Sequence, residues 1–198
     1  MSSPRHVVVT IDGPAGVGKS TVSRLVADRL GVRHIDTGAM YRELTAVALA
    51  RGVSVDDGPE LADLVDIAPP DGVDIRSERV SAAVSAVSRH PEVRVRMRAR
   101  QRELAGDAAV LEGRDTGTRV CPDAPVKVYL TAPVAVRALR RAPELGLPVD
   151  QVERTIADRD RLDAEQLPPA PDAHMIDTGP LSVDQVVDAV LELVQRAA

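Results

Sequence analysis

The chain has 198 residues and a formal net charge of −5 at pH 7, and it contains two Tyr, no Trp and no Phe. An acidic balance argues against general binding to nucleic acids, and few aromatic side chains are present on which bases could stack. The single cysteine, Cys121, excludes an internal disulfide, and its apolar context predicts a small buried side chain.

The length fits one compact domain, which we predict to span residues 1–198. No signal peptide precedes the first apolar run, and no run approaches the ~18 residues of a membrane-spanning helix. We therefore expect a soluble cytoplasmic protein that binds neither membranes nor nucleic acid.

Strands and helices alternate along the chain. The β-branched run Val7–Ile11 predicts a buried strand, and Lys19–Leu30 has helical spacing of its apolar residues and ends at Gly31. The predicted elements that follow are a strand at His34–Ile35, a helix at Gly38–Arg51 closed by Gly52, strands at Ala108–Leu111, Val126–Leu130 and His174–Ile176, and a helix at Ser182–Gln195 with Ser182 as N-cap. This alternation predicts an α/β fold, a parallel sheet with helices on both faces.

Three segments interrupt that alternation. Pro59–Glu78 shows little periodicity and is interpreted as irregular, and Arg79–Leu104 is helical and basic. Arg137–Leu167 is helical and Arg-rich, with interruptions predicted at Pro143 and Pro148. We interpret these segments as excursions that cover a ligand.

A glycine-rich loop joins the first strand to the first helix. Its residues, Gly13, Pro14, Ala15, Gly16, Val17, Gly18, Lys19 and Ser20, match GxxxxGK(S/T) and are followed by Thr21. The glycines let backbone N–H groups point at phosphate oxygens, and the helix N-terminus adds its dipole. Lys19 is expected to reach the β- and γ-phosphates, and the Ser20 hydroxyl to bind Mg²⁺. The loop therefore predicts binding of a nucleoside triphosphate, ATP, with Mg²⁺.

Three classes of protein use such a loop, and they differ in what else they need. A GTPase reads guanine with Asn-Lys-x-Asp, which a chain without Asn cannot supply. A kinase that phosphorylates an alcohol needs a general base for the hydroxyl proton. A nucleoside-monophosphate kinase needs no such base because its acceptor is already an anion, and it needs Arg and Mg²⁺ around the transferred group.

Polar residues recur where parallel strands should end, which is where such sheets bind ligands. They form two groups: Thr37, Tyr41 and Arg42 after the second strand, and Glu112, Arg114 and Asp115 after the strand at Ala108–Leu111. Glu112 lies where a Walker-B carboxylate would order water around Mg²⁺. The Arg residues suit the acceptor of a phosphoryl transfer.

The motifs DGPAGVGKST, DTGAMYR, SAVSRHPEVR, EGRDTGTRVCPDAPVK and RDRLD, in this order, resemble those of the bacterial cytidylate kinase family, of which this chain looks like a shortened member. The resemblance implies ATP-dependent transfer to CMP or dCMP, pyrimidine nucleotide metabolism, a monomer, and a P-loop nucleoside-monophosphate-kinase-like sheet of order 2-3-1-4-5. It divides the chain into a core (5–52, 106–132 and 172–198), a monophosphate-binding insert (about 53–105) and an Arg-rich lid (about 133–168).

The resemblance also implies roles for individual residues. Arg42 and Arg114 resemble the acceptor-phosphate clamp, and Ser85, Arg94 and Asp115 resemble the residues that read cytosine. Thr37 and Tyr41 are expected to lie beside the acceptor, and Arg159 and Asp163 to close over it from the lid. Arg137, Arg140 and Arg141 are expected on the donor side of the lid. The residues expected to act in catalysis are Lys19, Arg42, Arg114 and Arg159, and those expected to bind metal are Ser20 and Glu112.

This sequence departs from the family pattern in the lid and the insert. Gln166 stands where the family's RDRLD-type motif is usually followed by Arg, and both segments look short. Two alternatives to a cytidylate kinase therefore stay open. One is a kinase for an unusual cytosine-like monophosphate or another small phosphorylated metabolite, and the other is a catalytically silent nucleotide-binding regulator.

Overall fold

A single parallel sheet of five strands forms the centre of the fold. The computed structural model describes residues 7–166 and 168–197, without the side chains of residues 162–166. The strands lie in the order β2-β3-β1-β4-β5, as the resemblance implies. They are β1 (Val8–Asp12), β2 (Arg33–Asp36), β3 (Ala109–Gly113), β4 (Val126–Thr131) and β5 (His174–Asp177). The central strand β1 pairs in parallel with β3 and β4, so the carboxyl ends of all three meet at one edge.

In the part of the chain that the structure describes, eight α-helices connect or flank these strands. They are α1 (Lys19–Leu30), α2 (Thr37–Arg51), α3 (Gly58–Asp63), α4 (Glu78–Ser88), α5 (Pro91–Ala105), α6 (Val134–Leu145), α7 (Val149–Gln166) and α8 (Val183–Ala197). A π-helix, Thr116–Val120, follows β3. The predicted bounds of α1 are confirmed, and Ser182 caps α8 by accepting a hydrogen bond from the Gln185 N–H at 3.2 Å.

Four details of the sequence interpretation are wrong. The segment expected to be irregular contains α3, which is only six residues long and so shows no readable period. The basic helical segment is two helices, because Pro91 starts α5 instead of continuing α4. Helix α6 continues past Pro143, where a proline in the last turn removes one backbone hydrogen bond. Cys121 is half-buried, not buried.

The chain divides into two compact units. The first unit takes the chain up to Ile35 and from Ala105 onward, and the second is Asp36–Leu104. In the first unit, a core of aliphatic side chains lies between the sheet and helices α1 and α8, with Val9, Val26 and Val190 fully buried. Because both faces of β1 are covered, Val9, Thr10 and Ile11 are all fully buried.

The second unit has its own core. Leu44 and Val47 of α2 pack with Leu61 of α3, Val87 of α4 and Met97 of α5, and all five are buried. Within the described ranges, no helix is both long and apolar enough to cross a membrane.

Candidate active site

The glycine-rich loop leads directly into α1, and two of its glycines are required by the backbone. Gly13 has φ 149° and Gly16 has φ 82°. A Cβ on Gly13 would lie 2.4 Å from the Leu130 carbonyl oxygen, and one on Gly16 would lie 3.0 Å from Cβ of Arg137. No side chain caps α1 at Gly18, so the first N–H groups of the helix are available to an anion.

Lys19 is the first residue of α1 and is half-buried. Its Nζ donates a hydrogen bond to the Pro14 carbonyl at 2.7 Å, so the side chain lies back over the loop. The pKa of Lys19 is lowered to about 7, mainly by burial and next by the positive charge of Arg114, against the opposite effects of Glu112 and Asp12.

A group of cations surrounds Lys19 in the first unit. Burial lowers the pKa of Arg114 to about 10, and the nearby charges of Arg159 and Arg141 act in the same direction. Arg159 also lowers the pKa of Lys19. These four side chains come from β3 and its loop, α1, α6 and α7, and the fold gathers them although they repel one another. A polyanion bound among them would relieve that repulsion.

Two arginines of α6 hold the outer side of the loop. Arg137, 3% exposed, donates from Nη1 to the Ala15 carbonyl at 3.2 Å and pairs with Asp160 of α7. Arg140 donates to the Thr178 hydroxyl at 3.0 Å, and that hydroxyl donates to the Val17 carbonyl at 3.1 Å. The assignment of Arg137 to the donor nucleotide stays a prediction, and these contacts give it a structural role as well.

Glu112 and Ser20 are the residues predicted to bind metal. Glu112 is the last residue but one of β3, is 3% exposed and has its Oε1 3.8 Å from Nε2 of His34. Ser20 follows Lys19 in the first turn of α1. No group of three or more His, Cys, Asp or Glu side chains that could hold a metal occurs among the described residues. One hydroxyl and one carboxylate suit Mg²⁺, which keeps several waters and takes phosphate oxygens as further ligands.

Asp115 follows Arg114 and begins the π-helix. Its carboxylate is mostly shielded from solvent, and its Oδ2 lies 4.0 Å from Nε of Arg119. The Asp115 carbonyl accepts the N–H of Arg119 at 2.8 Å, which fixes the backbone at this position. π-Helices are rare and often mark functional sites.

The second unit carries the other residues predicted to bind the acceptor. Thr37 starts α2 and is buried, Tyr41 packs at the edge of the core, and Arg42 pairs with Asp36 at 3.2 Å. Asp36 also caps α2 by accepting the Ala39 N–H at 2.7 Å.

Two further predicted acceptor residues lie later in the second unit. Ser85 is exposed on α4, and Arg94 of α5 donates to the Ser88 carbonyl at 3.5 Å. The side chains of Asp163 and Gln166 lie outside the described residues. Their proposed roles stay predictions.

Sequence reasoning missed three polar residues of the first unit. Asp12 accepts hydrogen bonds from the start of the π-helix, Asp160 pairs with Arg137, and Thr178 bonds the loop. Each acts on a partner far away in the chain. The position of Asp12 between a buried strand and the glycine-rich loop was the only signal that could have singled one of them out.

Comparison with known proteins places this site in a family. The family model described as cytidylate kinase matches residues 9–196. A protein named cytidylate kinase from Geobacillus kaustophilus is 46% identical over 219 residues, covering 97% of this chain and 98% of that protein. One from Shouchella clausii is 45% identical over 215 residues, covering 95% of this chain and 96% of that protein.

These alignments extend over more positions than the 198 residues of this chain, so both relatives contain residues that have no counterpart here. Among solved structures, a gluconokinase from Sinorhizobium meliloti gives a TM-score of 0.55 at 17% identity, covering 98% of this chain and 94% of that one. That likeness concerns the fold alone. The match over nearly the whole chain, together with the glycine-rich loop and the cations around it, establishes that the chain belongs to the cytidylate kinase family.

Proposed function

We propose that the protein transfers the γ-phosphoryl group of ATP to CMP or dCMP, giving ADP and CDP or dCDP. The observation that carries this proposal is the cluster of Lys19, Arg114, Arg159 and Arg141, in which burial and the neighbouring cations lower the pKa values of Lys19 and Arg114. Such a cluster suits two polyanions that must be brought together for phosphoryl transfer. Membership of the family supplies the identity of the acceptor.

For this reaction the protein mainly has to position the two substrates and neutralise their charge. An oxygen of the acceptor phosphate attacks the γ-phosphorus while the bond from that phosphorus to the β–γ bridging oxygen breaks, and ADP leaves. The acceptor phosphate is already an anion near pH 7, so no side chain has to remove a proton. Lys19 would hold the β- and γ-phosphates, and Arg114 and Arg159 would neutralise charge as it shifts between donor and acceptor.

Ser20 and Glu112 would hold Mg²⁺, Ser20 through its hydroxyl and Glu112 by ordering water. When bound, the ion neutralises charge on the phosphate oxygens of ATP. Glu112 is near enough to raise the pKa of Lys19, so the carboxylate and the ammonium act on the same region of the loop.

Asp115 would distinguish cytosine from uracil. A carboxylate accepts a hydrogen bond from the exocyclic amine of cytosine, but it would face a carbonyl of uracil. An unpaired buried polar group costs roughly 1–3 kcal/mol, which corresponds to about ten- to hundredfold discrimination. Arg42, Ser85 and Arg94 are proposed to contribute to acceptor binding as well.

A coupled assay of ADP release tests the proposal. It uses saturating MgATP with CMP, dCMP, UMP or AMP, and Lys19→Met as the variant expected to be inactive. We expect turnover with CMP and dCMP to exceed turnover with UMP and AMP. Turnover with none of the four would contradict the proposal, and a preference for another phosphorylated acceptor would favour the alternative kinase. We also propose a cytoplasmic monomer, and sedimentation velocity tests the oligomeric state.

A further inference from the structure

Asp12 is a buried carboxylate next to the phosphate-binding loop, and its hydrogen bonds reach a different part of the chain. It is the last residue of β1, and its side chain is almost inaccessible to solvent. Oδ1 accepts the Thr116 N–H at 3.0 Å and the Thr116 hydroxyl at 2.8 Å, and Oδ2 accepts the Gly117 N–H at 2.8 Å. One side chain thereby satisfies three donors that lie 104 or 105 residues away.

These donors belong to the turn that carries Arg114 and Asp115. The pairing of β1 with β3 ends at Asp12 and Gly113, so the chain beyond Gly113 is no longer held by the β1 ladder. It is held instead at Thr116 and Gly117, whose N–H groups begin the π-helix. Because the N–H groups at the start of a helix have no partner within it, the carboxylate of Asp12 supplies the acceptors they need.

The turn also packs closely on β1. A Cβ added to Gly117 would lie 2.9 Å from Oγ1 of Thr10 and 3.4 Å from Oδ2 of Asp12. The backbone therefore has little room to shift toward the strand. Arg114, which this turn carries, interacts electrostatically with both Arg159 and Asp160 of α7.

We propose that Asp12 is a positioning residue, which fixes the turn of Arg114 and Asp115 against the phosphate-binding loop so that the acceptor is held for transfer. This inference rests on the proposed function and deepens it. Asp12 itself touches no reacting atom in this mechanism, and its effect passes through the Thr116 and Gly117 backbone. Its loss should therefore change acceptor turnover and selectivity more than binding of MgATP.

Three variants separate this role from a purely electrostatic or structural one. Asp12→Asn keeps the size of the side chain but turns a donor toward a backbone N–H. Thr116→Val removes one of the three hydrogen bonds without changing charge, and Thr116→Ser keeps the hydroxyl. The matched control is Thr10→Val, since the Thr10 hydroxyl is equally buried on the same strand and has no hydrogen-bond partner among the described residues.

The measurements are kcat and KM for CMP, UMP and MgATP, and amide hydrogen exchange at Thr116 and Gly117. We expect Asp12→Asn to lower kcat for CMP by about ten- to hundredfold and to reduce the CMP-to-UMP ratio of kcat/KM, with KM for MgATP changed by less than about threefold. Thr116→Val should lose about three- to tenfold in kcat. In Thr116→Ser and Thr10→Val, kcat and KM should stay within about twofold of the wild-type values. Exchange at the two amides should be about tenfold faster in Asp12→Asn and unchanged in Thr10→Val.

The proposal and the underlying function fail in different ways. If the wild-type protein does not phosphorylate CMP, the proposed function is contradicted. Amide exchange at Thr116 and Gly117 would still test whether Asp12 holds the turn. If the wild-type protein is active but Thr116→Val shows unchanged kinetics and unchanged amide exchange, the inference is overturned. A defect in Asp12→Asn alone, with Thr116→Val unaffected, also overturns it, because the effect would then come from charge. If Asp12→Asn does not fold, the comparison of Thr116→Val with Thr10→Val in kinetics and amide exchange tests the inference.

Discussion

Arg137 of α6 donates from Nη1 to the carbonyl oxygen of Ala15 at 3.2 Å, across 122 residues of sequence. Its Nε donates to the Ala132 carbonyl at 2.9 Å, and its guanidinium pairs with Asp160. A buried cation thus joins the phosphate-binding loop to two helices. Because these acceptors are fixed, the guanidinium both stabilises the fold and shapes the loop.

Replacing Arg137 should therefore destabilise the protein. Arg137→Met leaves Asp160 and the Ala15 carbonyl without their partner, and we expect a loss of about 2–4 kcal/mol in the free energy of unfolding. The midpoint of thermal unfolding should fall by roughly 5–15 °C. Differential scanning calorimetry measures this. Arg154→Met, which removes an exposed pair with Asp150, serves as control and should change the midpoint by less than ~2 °C. Equal midpoints for the two variants would contradict the structural role.

Replacing Thr178 is a second, less disruptive test of the side-chain contacts that hold the phosphate-binding loop. Thr178→Val removes the hydroxyl that accepts from Arg140 and donates to the Val17 carbonyl. We expect KM for MgATP to rise by about three- to tenfold, since the loop loses one neutral hydrogen bond. Thr155→Val is the control, because the exposed Thr155 hydroxyl bonds only within its own helix, to the Gln151 carbonyl. No difference in KM between the variants would show that the hydroxyl does not shape the loop.

The pKa of Lys19 predicts how stability depends on pH. It is lowered from 10.5 to about 7 in the folded protein. Between these pH values the unfolded chain holds the proton and the folded protein does not, so stability should rise with pH across this window. Below pH ~7 both states are protonated and Lys19 adds no slope. Urea unfolding of the nucleotide-free protein from pH 6 to 10 should show this slope, and Lys19→Met should flatten it. A Lys19→Met protein with an unchanged slope would contradict the lowered pKa.

Proton uptake on binding MgATP is a separate consequence of the lowered pKa. At pH 8 the Lys19 amine is mostly neutral, and the negative phosphates would raise its pKa, so binding should take up close to one proton. Isothermal titration calorimetry in two buffers of different ionisation enthalpy measures the number of protons. Lys19→Arg, which stays protonated, should take up none at this position. Uptake that is the same in both proteins would assign the proton to another group.

Asp115→Asn should weaken discrimination against UMP. Asn can donate to the uracil carbonyl as well as accept from the cytosine amine, whereas Asp can only accept. The CMP-to-UMP ratio of kcat/KM should fall by about tenfold or more. Arg119→Met is a useful comparison, since Arg119 lies beside the same carboxylate and should affect the ratio less. An unchanged ratio in Asp115→Asn would leave Asp115 with a role in orienting its neighbours.

The elements that the sequence predicted are those with a long or strongly periodic pattern. Helix α1 follows from the apolar spacing of Val22 and Val26 and from Gly31 at its end. Helix α3 was missed because six residues show no period. The loop and the Arg114–Asp115 pair were predicted because their chemistry is local to a motif.

Asp12, Arg137 and Thr178 show what such reasoning cannot reach. Each of them bonds a backbone group of a residue more than 100 positions away, and the position of such a backbone partner cannot be read from the sequence. The assignment of Arg137 to the donor side of the lid stays a prediction, and nothing in the sequence indicated that its guanidinium would also bond Ala15 and Asp160. Only the folded arrangement of β1, α6 and β5 brings these groups together.

The hydroxyl of Thr178 has a consequence for how the protein is made. The ribosome synthesises Val17 161 residues before Thr178, so the chain emerges with its phosphate-binding loop incomplete. At roughly 5–20 residues per second, the interval is on the order of ten to thirty seconds. For most of that interval the loop lacks Arg137 as well as the Thr178 hydroxyl, and the nascent chain should bind ATP poorly. An interrupted translation product that ends before β5 would then remain a poor consumer of ATP, so that tight nucleotide binding begins only once the chain has been synthesised through Thr178.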